Sequence, residues 1–193
     1  MLELARVSKS DVLYDLGCGH AQNLIVAARK LGVRRCVGVE QVRNRYERAR
    51  EEVARERLSG RIKIVHGNMD DLLNGRFKAF DPSEATVVLY TIVTTSRIVK
   101  LLSQSLKHGC RLLYNAGNGV FPEVKPVALD YPFCLSVLPF EPPISQRDWL
   151  KAVLMEERVE RWPVSKLWKR LGGKLNLNKR EVKSYQKRLA KII

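Results

Sequence analysis

The sequence contains no long hydrophobic run. Its apolar stretches, such as ATVVLY at residues 85–90, are a few residues long, whereas a helix that crosses a bilayer needs about 20 apolar residues. The first residues, MLELARVSKSD, also have no apolar core of the kind found in secretion signals. We therefore expect a cytoplasmic protein that no helix anchors in a membrane.

Cysteine and histidine are scarce and scattered, with four and three residues respectively among 193. No two cysteines form a CxxC pair, and no histidine pair lies near enough in sequence to complete a zinc site. The sequence thus predicts no metal site. It predicts reduced, mostly buried thiols at Cys18, Cys36, Cys110 and Cys134.

Acidic residues are few relative to basic ones: 20 Asp and Glu stand against 35 Lys and Arg, a net charge of +15. Residues 142–193 carry 14 basic and 5 acidic side chains, so their net charge of +9 exceeds the +6 of residues 1–141. Clustered cations release counterions when they bind a polyanion, which favours nucleic acid as the partner. The alternative is a highly charged surface of the thermophile kind, although such a surface mixes both signs.

Short apolar runs alternate with helical patterns from residue 11 to residue 117. This order indicates a parallel sheet with helices on both faces and a ligand site at the carboxyl ends of the strands. After it, VKPVALDY (124–131) and FCLSVLPFE (133–141) predict an antiparallel closing hairpin. The predicted strands are 11–17, 34–40, 61–68, 85–93 and 110–117, and the predicted helices are 21–32, 41–58 and 96–106.

The second predicted helix is rich in both arginine and glutamate. Its spacing predicts exposed i,i+4 ion pairs between Arg43 and Glu47 and between Glu51 and Arg55. We assign these arginines no further function.

The segment YDLGCGH (14–20) joins the first strand to the first helix. A dinucleotide turn has a third glycine, where this chain has Gln22, so a nicotinamide or flavin ligand is disfavoured. Glu40 ends the second strand at the spacing of a ribose-binding carboxylate. Asp15 suits an ammonium group better than a phosphate. S-adenosylmethionine has the ribose and the ammonium and lacks phosphate, so the residues favour it as the cofactor.

Over residues 1–141 the chain resembles the class I, seven-strand S-adenosylmethionine-dependent methyltransferases. Within that superfamily, MLELARVSKSDVLYDLGCG, CVGVE, IVHGNM and SEATVVLY are similar to the small archaeal protein-lysine methyltransferases. The resemblance implies a doubly wound, mostly parallel seven-stranded Rossmann-like sheet in which Glu40 holds the ribose hydroxyls while Asn68 and Met69 border the adenine. The matching positions imply cofactor binding by Asp15, Gly17, Gly19, Glu40, Gln41, Asn68 and Met69.

In this family the acceptor lies beside the segment that follows strand four, here LYTIVTT (89–95). This segment has no Pro-Pro-aromatic turn of the kind that binds base amines. It also lacks an acidic residue of the Lys-Asp-Lys-Glu tetrad that is typical of ribose 2'-O methylation. It has no Pro-Cys pair of the kind used for methylation at pyrimidine C5. Neutral polar side chains are left as candidates that contact the acceptor, although Tyr90 and the threonines could equally pack strand four. The candidates are Tyr90, Thr91, Thr94, Thr95, Asn115 and Asn118, with Tyr90, Thr91 and Asn115 as the preferred catalytic set.

His20, beside the glycine turn, could act as a base, but a single histidine at a helix start more often caps the helix or faces solvent.

Residues 142–193 predict a second unit, a helical extension with a Gly-Gly turn. Basic side chains interleaved with Trp162, Trp168 and Tyr185 suit backbone contacts and stacking on RNA. The alternative is a helical arm that packs on the core or on a second subunit. The predicted RNA-binding residues are Lys166, Lys169, Arg170, Lys179, Arg180, Lys183 and Lys187.

Together these features predict a methyltransferase, monomeric or weakly dimeric, that acts on RNA. Ribosomal RNA is the preferred kind, and a base amine is favoured over ribose 2'-O or pyrimidine C5 as the acceptor atom. Protein lysine is the alternative acceptor. A third reading, an RNA-binding module with a vestigial cofactor pocket, is disfavoured by the intact set Asp15, Gly17, Gly19 and Glu40.

Overall fold

The computed structural model describes residues 1–92, 96–115, 124–130, 133–140 and 180. Its strands form one seven-stranded sheet in the order β3-β2-β1-β4-β5-β7-β6. The first five strands pair in parallel, and β7 pairs antiparallel with both β5 and β6. This confirms the predicted doubly wound sheet with its closing hairpin. The strands are β1 Val12–Leu16, β2 Arg35–Glu40, β3 Ile62–His66, β4 Val87–Tyr90, β5 Arg111–Asn115, β6 Ala128–Asp130 and β7 Phe133–Val137.

The helices are α1 Gln22–Lys30, α2 Arg43–Arg55, α3 Met69–Leu73 and α4 Ser96–Ser105, with a 3₁₀ turn at Pro82–Glu84. The predicted long helices are confirmed. The two short elements were not predicted because each is too short to show a helical period. Each begins at a side-chain cap: Asn68 accepts from the Asp70 N–H at 3.0 Å, and Asp81 accepts from the Ser83 N–H at 2.8 Å.

The core lies on both faces of the sheet. Alternate residues of a strand point to opposite faces, and in β4 Val88 and Tyr90 join one buried cluster while Val87 and Leu89 join the other. The first cluster includes Leu102 of α4, and the second includes the buried face of α1. Helices therefore cover both faces, which leaves the strand ends as the place for a ligand.

A polar cluster closes the N-terminal end of the sheet. Asp11, directly before β1, accepts from the Ser8 N–H at 2.8 Å and from the Thr86 hydroxyl at 2.7 Å, and it pairs with Arg111 of β5. Thr86 directly precedes β4, so one carboxylate connects the starts of β1, β4 and β5.

Two predictions about side chains have different outcomes. The Arg43–Glu47 ion pair is confirmed at 2.9 Å. The Glu51–Arg55 pair is wrong: Arg55 pairs with Glu52, three residues earlier. Residues three and four apart both adjoin on a helix surface, so spacing does not choose between neighbouring glutamates.

The four cysteines are buried free thiols, as predicted. Burial raises the pKa of Cys36 to about 12, which leaves it protonated and unreactive. Within the part of the chain that the structure describes, no helix is long and apolar enough to cross a membrane. The predicted division after residue 141, and nearly all of the predicted extension, lie outside the described residues.

Candidate active site

The turn after β1 is built from two glycines in left-handed conformations. Gly17 has φ +102° and Gly19 has φ +56°, values that side-chain-bearing residues rarely adopt. The N–H groups of Gly17 and Cys18 both donate to the Val39 carbonyl, at 2.9 and 3.0 Å. The turn is therefore held against the end of β2, and it leads into the left-handed Ala21 that directly precedes α1.

Glu40, the last residue of β2, connects the glycine turn to the loop before α2. One carboxylate oxygen accepts from the Gly19 N–H at 2.9 Å, and the other accepts from the Val42 N–H at 2.8 Å. The residue is 5% exposed. Because a carboxylate oxygen has two acceptor positions, each Glu40 oxygen can still accept a hydrogen bond from a ligand hydroxyl group.

Asp15 is the least satisfied polar residue of this edge. It is 1% exposed, and its Oδ2 accepts a long 3.4 Å hydrogen bond from the Asn23 side chain. Its Oδ1 is buried and has no hydrogen-bond partner among the described residues. Burial raises its pKa to about 7, the Asn23 hydrogen bond lowers it, and the Glu40 charge raises it. A buried carboxylate oxygen of this kind is costly without a partner, and a ligand ammonium would supply one.

The remaining predicted cofactor residues lie at the ends of β2 and β3. Gln41 is exposed, and its carbonyl lies 3.2 Å from the His66 Nε2. Asn68 caps α3, and the half-buried Met69 packs against the core. The seven predicted cofactor residues thus all lie at the carboxyl ends of three neighbouring strands. Their carboxylates, side-chain amides and backbone groups fit the hydrogen-bonding groups of S-adenosylmethionine. The role of each individual residue stays a prediction.

Sequence reasoning missed three polar residues here. Asn23 is the hydrogen-bond donor to Asp15. Asp70 of α3 pairs with Arg97 of α4 through one oxygen, while its Oδ1 is buried and has no hydrogen-bond partner in the described part of the chain. Asn23 and Arg97 carry no sequence signal, since each meets its partner only through the packing of helix against strand or helix.

The predicted acceptor residues lie at the ends of β4 and β5. Tyr90 is 3% exposed within the core, which agrees with the packing alternative, and burial raises its pKa, with the Asp70 charge as a second cause. Thr91 and Asn115 are half-buried. His20 is exposed, and α1 has no side-chain cap, which favours a solvated role for this histidine. Thr94, Thr95 and Asn118 lie outside the described residues.

The predicted RNA-binding set falls almost entirely outside the described residues. Arg180 is described and exposed. The other six are Lys166, Lys169, Arg170, Lys179, Lys183 and Lys187. Among the described ranges, no three His, Cys, Asp or Glu side chains are grouped so as to hold a metal ion.

Comparison with known proteins agrees with this geometry. Residues 13–109, half of the chain, match the family described as "Methyltransferase domain". A protein-lysine N-methyltransferase of Saccharolobus islandicus (strain REY15A) is 37% identical over 115 residues, which are 58% of this chain and 66% of that protein. The chain therefore aligns with just under two thirds of this relative.

Two solved structures share the fold. An RNA methyltransferase from Salinibacter ruber, in complex with S-adenosyl-L-homocysteine, is similar with a TM-score of 0.57 and 27% identity over 75% of this chain and 91% of that one. A putative sarcosine dimethylglycine methyltransferase from Galdieria sulphuraria has a TM-score of 0.50 and 15% identity over 59% and 43% of the two chains, which is a likeness of fold alone. From the matched family and the seven-stranded sheet we conclude that this chain belongs to the methyltransferase domain family.

Proposed function

We propose that this chain is an S-adenosylmethionine-dependent methyltransferase that methylates RNA, with ribosomal RNA as the acceptor class and a base amine as the acceptor atom. The observation that carries the proposal is the net charge of +15. A field of this sign draws a polyanion toward the protein and repels lysine-rich segments of other proteins. It therefore favours RNA over a cationic acceptor.

The proposed site residues divide the work between two parts of the sheet edge. Asp15, Glu40 and the glycine turn hold the cofactor, which supplies a methyl group on a positively charged sulfur. Thr91 and Asn115, which follow or end the adjacent strands β4 and β5, would accept hydrogen bonds from the acceptor amine. In-line transfer depends mainly on alignment of acceptor, methyl and sulfur, so neutral hydrogen-bond acceptors suffice for this role.

The Salinibacter ruber RNA methyltransferase supports an RNA acceptor, since this chain aligns with 91% of its length. The finer choices of ribosomal RNA and a base amine rest on the sequence reasoning given above.

Protein lysine is the second candidate acceptor. It is favoured by the 37% identity to the Saccharolobus islandicus protein-lysine N-methyltransferase. Over these 115 residues the chain is more similar in sequence to the lysine methyltransferase than it is to the Salinibacter ruber protein. The net charge of +15, however, opposes the approach of cationic segments of a protein acceptor.

Transfer of a radiolabelled methyl group from the cofactor into a cell extract distinguishes an RNA acceptor from a protein-lysine acceptor. The purified enzyme is incubated with the RNA fraction and with the protein fraction, and each product is treated with nuclease or with protease. RNA methylation predicts label in the RNA fraction that nuclease releases and protease does not. Label that appears only in protein and is released by protease would replace the RNA proposal with the lysine one. An Asp15→Asn variant is the control for transfer that depends on the cofactor site.

A further inference from the structure

Residues 43–50 of α2 concentrate arginine on the surface. Arg43, Arg45, Arg48 and Arg50 are all exposed. Within the described ranges Arg43 pairs with Glu47, and the other three have no carboxylate partner. The first turn of this helix contains no acidic residue. The helix therefore presents a positive surface near the edge of the sheet.

Aromatic rings lie within this positive surface. The Tyr46 and His66 rings stack with centroids 5.0 Å apart and planes 28° apart. The Arg50 guanidinium carbon lies 5.7 Å from the Tyr46 ring centroid, and an Arg50 nitrogen donates to the Tyr46 hydroxyl at 3.4 Å. His66 is exposed and is oriented by the contact of its Nε2 with the Gln41 carbonyl at 3.2 Å. The half-buried Tyr46 ring is thus held between His66 and Arg50, and the exposed His66 ring is the one that a further partner can stack on.

A cavity of about 680 Å³ opens between α2 and β3 beside these rings, and Tyr46, Arg50 and Lys63 are among its lining residues. This volume falls within the range of small-ligand pockets, roughly 300 to 1,000 Å³. Two carboxylates also line it: Glu47 is neutralised by Arg43, while Glu51 has no ion pair among the described residues. Arg50 and Lys63 outweigh that remaining charge.

The position of His66 connects this surface to the cofactor edge. In the parallel pairing of β2 and β3, His66 is the partner of Glu40. Adjacent strands lie about 4.8 Å apart, so the surface begins one strand beyond the proposed ribose carboxylate. A chain-like acceptor bound at the ends of β4 and β5 could therefore extend along this edge of the sheet to reach it.

We propose that the α2–β3 surface, defined by Tyr46, Arg50, Lys63 and His66, binds a single-stranded segment of the acceptor RNA that lies beyond the methylated nucleotide, on the far side of the cofactor strands β1 and β2. His66, supported from behind by Tyr46, provides the ring on which a base stacks. Arg50 and Lys63 contact the phosphates on either side of it. The inference rests on the proposed RNA acceptor, but it concerns binding and is measured separately from methyl transfer.

Two matched charge variants test the phosphate contacts. Arg50→Gln/Lys63→Gln and Lys30→Gln/Arg34→Gln remove the same charge, and the second pair consists of exposed residues between the end of α1 and the start of β2. Anisotropy with a fluorescent single-stranded RNA is measured at several salt concentrations. Loss of two phosphate contacts should lower the salt slope by about 1.4 in the first variant only. Equal slopes in the two variants would overturn the phosphate contacts.

His66→Ala tests the stacking platform. It should weaken RNA binding by about tenfold and leave the salt slope unchanged, because stacking involves no ion release. Binding of S-adenosylhomocysteine by the same variant should equal that of the wild type. An equal loss for RNA and for S-adenosylhomocysteine would place His66 in the cofactor site and overturn the inference.

The same measurements separate this inference from the proposed function. Wild-type methylation of RNA together with unchanged RNA affinity in both test variants would overturn the surface and keep the function. If the test variants lose RNA binding but the label is found only in protein, the α2–β3 surface remains an RNA-binding surface and the proposal of RNA methylation is overturned. Competition by a polyglutamate peptide as strong as by RNA would assign the surface to acidic proteins instead.

Discussion

The two ends of β1 carry two buried aspartates with opposite hydrogen-bonding states. Asp11, before the N-terminal end, is 7% exposed, and both of its oxygens are bonded, to Ser8, Thr86 and Arg111. Asp15, near the carboxyl end, is 1% exposed and has one oxygen with no hydrogen-bond partner among the described residues. Three residues of β1, from Val12 to Tyr14, thus separate a satisfied carboxylate from an unsatisfied one.

The comparison shows that the polar residue before β1 stabilises the sheet, whereas the polar residue near the carboxyl end of β1 is available to a ligand. The bonded carboxylate connects three strands and contributes to the stability of the sheet. The unpaired oxygen costs stability in the protein without a ligand, and such a cost is typical of a site that a ligand completes. Substitutions at the two positions should therefore separate stability from cofactor binding.

The largest effect should come from Asp11→Ala. The change removes the carboxylate partner of the part-buried Arg111 and leaves Arg111 and the Thr86 hydroxyl with backbone carbonyl acceptors alone, which should lower the free energy of unfolding by about 3 kcal/mol. Urea denaturation measures it, and the affinity of the folded variant for S-adenosylhomocysteine should be unchanged. Asp130→Asn, at an exposed aspartate, is the control; a loss as small as the control's would remove Asp11 from the structural role.

Asp15→Asn should weaken cofactor binding without lowering stability, the reverse of Asp11→Ala. Removal of the charge that meets the ligand ammonium should weaken S-adenosylhomocysteine binding by about 2 to 3 kcal/mol, measured by calorimetry. The unfolding free energy at pH 8 should be equal to or above that of the wild type, because a buried charge has been removed. Wild-type affinity in a folded variant would contradict the ammonium contact.

The pH dependence of stability sharpens the same contrast. The folded-state pKa of Asp15, about 7, lies above the ordinary value of 3.8, so the folded protein binds this proton more tightly than the unfolded chain does. The stability that this proton provides is full below about pH 4 and is lost as the pH rises through about 7. The Asp15→Asn variant should lack this decline, so urea midpoints of the two proteins should diverge between these values. Parallel profiles would contradict the raised pKa.

Cofactor affinity should change with pH in the opposite direction. The ligand ammonium favours ionised Asp15, so S-adenosylhomocysteine binding should strengthen by about tenfold from pH 6 to pH 7.5, below the deprotonation of a free α-amino group near pH 8. Methylthioadenosine, which has the adenosine part without the amino acid, is the control and should show no such change. A similar rise for both ligands would assign the dependence to another group.

Glu40→Gln should give the smallest effect and should alter both properties. A glutamine has one acceptor oxygen, so either the Gly19 or the Val42 N–H loses its partner, at a cost of about 1 kcal/mol in unfolding free energy. S-adenosylhomocysteine affinity should fall by a similar amount because the turn and the ribose carboxylate change together. Glu3→Gln, at an exposed position, is the control; a loss in stability alone would mean that Glu40 only holds the turn.

Much of the fold could be predicted because its strands and long helices differ in period. The run VLYDL and the helical spacing of Leu24, Ile25 and Ala28 each bury the residues that their pattern indicates. The short α3 was missed, as was the shift of the Arg55 ion pair from Glu51 to Glu52. Short helices and surface rotamers depend on contacts that no periodic pattern records.

By itself the sequence determined the sheet, the glycine turn and the presence of carboxylates at Asp15 and Glu40, because strand period, left-handed glycine and residue type are local properties. The tertiary structure alone decided which carboxylate is satisfied. The Glu40 oxygens meet two backbone N–H groups, and one Asp15 oxygen meets none among the described residues. It also brought His66 of β3 onto Tyr46 of α2. Hydrogen-bond satisfaction and ring stacking need a defined distance and direction between residues far apart in sequence, and only the packed fold sets these.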